Sequence, residues 1–240
     1  MSVRSTCLTA GALLALAPPW SADAAGIEAD QLTLFATVAS DYVLRGYSQT
    51  NAKPVAQVGV DFEHPGGLFA GVRLSSVEFP PRGPFEDARD LEVNLYAGYG
   101  LEIGGEWAVS TSLVHYEYPG AEDPIDWDYT ELGLALQRGA AALSIAYSNR
   151  AFGSDDPGVA IDVSGRWALG AHLELTAGLG FFDLESRFLM DYLYWSAEIS
   201  RPWRRFNFTL GYFDTDDRGR ELWGDLAGAR GIAGATYRIH

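Results

Sequence analysis

From about Gln31 to His240 the chain runs through twelve stretches in which apolar and polar side chains alternate, separated in turn by tight Gly/Pro turns and longer acidic loops. Successive strand residues point to opposite faces, so such alternation predicts extended chain with one apolar and one polar face. In the first stretch Leu32, Leu34, Ala36, Val38, Ser40, Tyr42 and Leu44 share a face, opposite Gln31, Thr33, Thr37, Asp41 and Arg45. The pattern recurs with Ala56, Val58, Val60 and Phe62 against Gln57, Gly59, Asp61 and Glu63, and with Leu91, Val93, Leu95, Ala97 and Tyr99 against Glu92, Asn94, Tyr96 and Gly98.

The periodicity predicts strands at 31–44, 55–63, 68–78, 89–101, 107–118, 129–137, 141–149, 159–167, 172–183, 192–200, 205–213 and 229–239. Connections after even strands are three to five residues long and those after odd strands are longer, as in an all-β, transmembrane, antiparallel up-and-down barrel. In that reading the short turns are periplasmic, the long loops extracellular, and both termini lie at the periplasmic end. A soluble closed barrel of about twelve strands would enclose more space than side chains fill well. Aromatics also gather at strand ends, with Phe62, Tyr99, Trp107, Trp167 and Phe206 beside the turns and Tyr42, Tyr147, Trp195 and Tyr212 towards the loops, where interfacial girdles lie. The fifth stretch departs from this order. Trp107, Val109, Thr111 and Leu113 set one phase, and Val114, Tyr116 and Tyr118 continue in the other, which predicts a bulge near Leu113 and Val114.

Residues 1–24 read as a secretory signal: Arg4 in a polar head, an apolar run from Cys7 to Ala17, and Ala22-Asp23-Ala24 as a small-x-small cleavage site. Residues 25–240 then form one barrel domain, exported to the outer membrane of a Gram-negative bacterium. The single cysteine, Cys7, leaves with the signal, so disulfides, thiolate metal sites and cysteine nucleophiles are excluded from the mature chain. The net charge is −15, which disfavours nucleic acid as a partner. The expected partners are outer-membrane lipid and lipopolysaccharide, small solutes, and the barrel-assembly machinery. For the last of these the final strand alternates Ala233, Ala235, Tyr237 and Ile239 before His240.

The run Ala39-Ser40-Asp41-Tyr42-Val43-Leu44-Arg45-Gly46-Tyr47-Ser48-Gln49-Thr50, followed by Pro54, Gln57, Gly59 and Asp61, resembles the opening signature of the TorF-type porin-like family, also catalogued as Gcw_chp. Leu95 to Tyr99, Tyr116 to Gly120 and Tyr129 to Glu131 are similar to further motifs of that family. The resemblance implies an outer-membrane barrel with a porin role and supplies no substrate.

Candidate lumen-lining residues are Asp41, Arg45, Asp61, Arg73, Glu92, Asn94, Glu131, Asp162 and Arg166, joined by Glu63, Glu174 and Glu198. Acids outnumber bases, which predicts a water-filled passage with mild cation preference. The bland alternative is a set of Arg–carboxylate pairs that brace or plug a narrow barrel. Asp214-Thr215-Asp216-Asp217 with Gly219 and Asp225 loosely matches a calcium loop, but Arg218 stands at a ligand position, so solvated surface charge is the preferred reading. Acyl-transfer catalysis needs a base beside a nucleophile, and only His115 comes near one, with Ser110 and Ser112 on its strand and Glu117 and Glu131 as candidate carboxylates. No cofactor or metal is expected. The sequence thus predicts a porin or narrow diffusion channel for small polar or cationic solutes, monomeric or trimeric. A barrel enzyme of the lipase or deacylase class and a closed structural or surface-interaction barrel are the alternatives. Loop lengths predict Asp41 opposite Gly59, Gly59 opposite Arg73, and an Asp41–Arg73 ion pair across the bare glycine.

Overall fold

Twelve antiparallel strands hydrogen-bond in a closed ring in the computed structural model, which describes residues 31–79, 89–104, 106–119, 127–170 and 172–239. In chain order the strands are β1 (Gln31–Ala39), β2 (Val43–Leu44), β3 (Tyr47–Ser48), β4 (Val55–Glu63), β5 (Leu68–Phe79), β6 (Arg89–Glu102) and β7 (Trp107–Glu117). There follow β8 (Tyr129–Arg138), β9 (Ala141–Ser148), β10 (Gly158–Ala168), β11 (Glu174–Leu184), β12 (Met190–Trp203), β13 (Phe206–Thr215) and β14 (Arg230–Ile239). The ring runs β1-β4-β5 and onward to β14, which closes on β1, while β2 and β3 form a separate two-stranded pair in which Tyr47 also bridges Ala227. Closure leaves no strand edge exposed. The segments proposed as a signal, the loop residues Glu122 to Asp126 and the terminal His240 lie outside the described residues.

The alternation in the sequence becomes the two faces of the wall. Leu34, Leu95, Leu134, Leu179 and Leu210 stand on the outside, half or more of Leu134 (53%), Leu179 (54%) and Leu210 (67%) being exposed, and among the described residues that band carries no charged side chain. So much contiguous apolar surface is costly in water and suits hydrocarbon. At the turn end the exterior carries Tyr99, Trp107, Trp167, Trp203 and Phe206, all exposed, with the Arg138 and Arg204 guanidiniums each 5.1 Å from the centre of a tryptophan ring, Trp107 and Trp203 respectively. An amphipathic cation over an indole at this level fits an interface between lipid and water.

Three expectations are corrected. First, β1 ends at Ala39 rather than at residue 44, and the chain from Ser40 turns into the lumen. Tyr42 and Leu44, expected on the lipid face, are therefore buried inside the barrel. Second, β7 has no bulge. Its register against β6 is continuous from Val93↔Glu117 to Glu102↔Ala108, so Val114 and Tyr116 face inward and His115 and Glu117 outward. The apolar phase switch at Leu113 marks a lumen that is itself apolar near the loops. An irregularity lies instead between Ser76 and Phe79. Third, Gly59 faces Phe35, not Asp41, because the tucked segment 40–54 is longer than a simple hairpin loop. Gly59 does face Arg73.

Where glycine meets an aromatic in the wall, the ring occupies the place of the missing side chain. A Cβ on Gly59, Gly71, Gly98 or Gly180 would lie within 2.1 to 2.5 Å of a ring atom of Phe35, Tyr96, Phe69 or Tyr194. These inward rings lie against the backbone, which keeps their bulk off the barrel axis. The loops carry the only helices among the described residues, chiefly α1 (Glu185–Phe188) and α2 (Asp217–Trp223). Asp216 caps α2 by accepting from Gly219 N, and Asp214 and Asp217 both bind Arg220. Held first by its hydrogen bond with Asp214, Arg220 lies above its ordinary pKa. The aspartates that suggested a calcium loop are thus engaged in capping and ion pairing.

Candidate functional site

The lumen is organised around the inward hairpin of β2 and β3. Two residues, Arg45 and Gly46, connect the strands, both at positive φ (48° and 83°), as a type I′ turn requires. Glycine is the only residue that fits at 46: an added Cβ would stand 2.3 Å from Thr215 Cγ2 and 2.7 Å from Tyr194 Cβ. The non-glycine left-handed backbone of Arg45 costs about 1 to 2 kcal/mol and persists because its surroundings hold it.

Its guanidinium donates two bonds to Glu131 on β8, 2.7 and 2.8 Å long, and lies 4.6 Å from the centre of the Phe182 ring. The Tyr192 hydroxyl donates to the Arg45 carbonyl at 2.9 Å. Asp41 holds the root of the hairpin, accepting from Ser48 Oγ (2.6 Å), Thr50 Oγ1 (2.8 Å) and Arg230 Nη1 on β14 (2.9 Å). Tyr47 stacks on Trp223 of α2 with ring centres 4.0 Å apart. The hairpin is therefore tied to β8, β12, β14 and α2, around much of the ring. The Arg45–Glu131 pair is mostly shielded from solvent, with side-chain exposures of 10% and 4%, whereas Lys53–Glu78 at the rim is exposed and screened by water.

The remaining candidates point inward from the wall. Glu92 accepts from the Tyr42 hydroxyl at 3.2 Å and the Tyr118 hydroxyl at 2.8 Å. Asp162 accepts from Tyr194 at 2.5 Å, and Asp61 from Tyr96. Among the described residues these three carboxylates meet tyrosine hydroxyls rather than a basic side chain. Arg73 stands across the β5–β6 pair from Asn94, its guanidinium 5.2 Å from the centre of the Phe35 ring. The expected Asp41–Arg73 pair is absent: Asp41 turns to Arg230 because the chain has left the wall before residue 41. Arg166 sits at the turn end, 3.4 Å from Glu174. Between the hairpin and the turns the inward positions are mostly small, among them Ser112, Gly133, Ala135, Ser144, Ser164, Gly178, Ser196 and Thr209.

His115 lies on the outside of β7 and bonds Thr130 at 3.0 Å. Ser110, Ser112 and Glu131 face the lumen, so the wall separates them from the imidazole. The nucleophile–base arrangement considered from the sequence is not assembled.

Sequence reasoning placed Tyr96 on the polar face but missed Phe35, Val43, Tyr42, Tyr118 and Tyr194 as lumen residues. Two signals were present. Phe35, Ala39 and Val43 occupy the polar phase of the first stretch, and Arg45-Gly46 between Val43-Leu44 and Tyr47-Ser48 has the form of a two-residue turn.

The sequence pattern of a family described as bacterial protein of unknown function (Gcw_chp) matches residues 24–232. No curated protein matches the chain. Among solved structures it is similar to the KdgM porin (TM-score 0.56, 7% identity, covering 87% of this chain and 99% of that one). It is also similar to the NanC porin (0.56, 9%, 87% and 100%) and to the COG4313 outer membrane channel from Pseudomonas putida F1 (0.51, 11%, 90% and 96%). At these identities the likeness is one of fold.

Proposed function

The chain belongs to the Gcw_chp family of bacterial proteins, and from its lumen we propose that it is an outer-membrane channel of narrow bore for small polar or cationic solutes. In this reading the signal segment is cleaved, the apolar exterior meets membrane lipid and lipopolysaccharide, the turns are periplasmic and the loops extracellular. The observation that carries it is the inner wall below the hairpin. It is polar and lined by many small residues, and its larger rings lie against glycines rather than across the barrel axis. A purely structural barrel has no need of such a wall.

Charge sets the preference. Asp61, Glu92 and Asp162 are inward-facing carboxylates that accept from tyrosine hydroxyls, while Arg45, Arg166 and Arg230 are each matched by a carboxylate. Rings of carboxylates favour cations. The hairpin β2–β3 forms the constriction, since it enters the barrel from the loop end and is braced across it. The KdgM porin has been solved in complex with oligogalacturonate, an acidic sugar chain; the acid-rich lumen here points to a different solute. In planar bilayers under a salt gradient, the reversal potential should have the sign of cation selectivity. Anion selectivity would reject the assignment of solute charge.

A further inference from the structure

Outside the hairpin, at the loop end, six aromatic rings form two triads. Phe79, Tyr118 and Trp127 touch one another with ring centres 5.9 to 6.4 Å apart, and Phe152, Phe188 and Trp223 do so at 5.6 to 6.1 Å. The first triad comes from the ends of β5 and β7 and the approach to β8. The second comes from the loop after β9 and from α1 and α2. No ring of one triad meets a ring of the other among the described residues. Between them lies a cavity of about 110 Å³, floored by Tyr47 and Gln49 of the hairpin. The cavity opens to solvent on one side, and rings brought together around it from separate loops present apolar surface that a guest would take out of water.

We propose that this cavity binds a small molecule with a single aromatic ring carrying a carboxylate. Size sets the first limit, since an apolar cavity of roughly 150 Å³ takes one benzene ring and an oligosaccharide would not fit. Chemistry sets the second. A sugar needs many free donors and acceptors, but the Tyr118 hydroxyl is held by Glu92, and the Gln49 amide donates to the Tyr47 carbonyl. Apart from the Trp223 Nε1, a single donor without a hydrogen-bond partner, ring faces and edges remain, and they favour offset or edge-on contact with another aromatic.

Charge sets the third limit. Arg187 is the only charged residue among the described lining, and it is loosely engaged, 3.8 Å from Asp156 and partly exposed. A guanidinium in that state gains by a bidentate bond to a carboxylate and repels an organic cation, which the rings alone would otherwise attract. The site is distinct from the carboxylate-lined passage below, and its occupancy does not depend on whether solutes cross.

The test is calorimetric titration of the folded protein in detergent micelles with benzoate, benzyl alcohol and benzyltrimethylammonium. Benzoate should bind tightest. Arg187→Gln should weaken benzoate at least tenfold and leave benzyl alcohol unchanged, and Phe188→Ala should weaken both; neither residue is in the barrel wall. Absence of saturable benzoate binding, equal binding by wild type and both variants, or tightest binding of benzyltrimethylammonium would each overturn the proposal. Saturable benzoate binding by a protein that passes no current would support it while rejecting the channel.

Discussion

Gly46 and Arg45 fix where the hairpin sits, and each can be tested by substitution. At Gly46 an added methyl meets both a strained φ and the Thr215 and Tyr194 side chains. Gly104 has a similar φ of 75° with nothing within 4 Å, so it isolates the backbone cost. Gly104→Ala should destabilise by about 1 kcal/mol and Gly46→Ala by about 2 kcal/mol or more, measured by urea unfolding in lipid vesicles. Equal losses would mean that the hairpin is not packed against the wall. Removing Arg45 leaves Glu131 shielded and unpaired, so Arg45→Ala should cost about 3 kcal/mol by the same measurement, because a lost partner is worse than a lost pair. Lys53→Ala at the exposed rim should leave the unfolding midpoint close to that of the wild type, because water screens the Lys53–Glu78 pair.

At the scale of elements, the strands follow from one rule and the loop ends from another. Alternation made nearly every barrel strand legible, because apolar lipid-facing and polar inward residues differ in kind along the middle of the wall. It fails towards the loop end, where the lumen is filled by Tyr42, Tyr47, Phe182, Tyr192 and Trp223 and so looks as apolar as the exterior. The same loss of contrast suggested a bulge in β7 that is not there. It also ran the first strand past Ala39, so the Asp41–Gly59 register and its Asp41–Arg73 pair were misplaced. Site residues on straight strands, such as Glu92, Glu131 and Asp162, could be assigned a face from parity alone. The partners of Glu92 and Glu131 could not, because Tyr42, Tyr118 and Arg45 reach them from chain beyond the strand ends, whereas Tyr194 meets Asp162 from β12 across Gly180. The face assignment has a direct check. Arginine at Leu34 or Leu95 should cost about 2 to 4 kcal/mol at mid-membrane, and arginine at inward Thr33 clearly less. Equal costs would deny that the outer face meets lipid.

The whole molecule is a closed twelve-stranded barrel with an apolar exterior, carboxylates and small side chains facing its lumen, and a braced hairpin at its loop end. Its topology predicts that an epitope placed near Asp216 is reached by antibody on intact cells and one near Gly104 is protected. The reverse would invert the barrel in the membrane. The assignment of the constriction draws on the ties through Asp41, Arg45 and Tyr47, and it is the hairpin rather than the wall that should govern flow. The decisive measurement is single-channel conductance in planar bilayers of the wild type beside Arg45→Ala, with both proteins shown to be folded. The wild type should give small, discrete, open-channel currents, and the variant larger or longer openings as the hairpin loosens. A folded wild type that passes no current, together with an equally silent variant, would contradict the channel and leave a closed structural barrel.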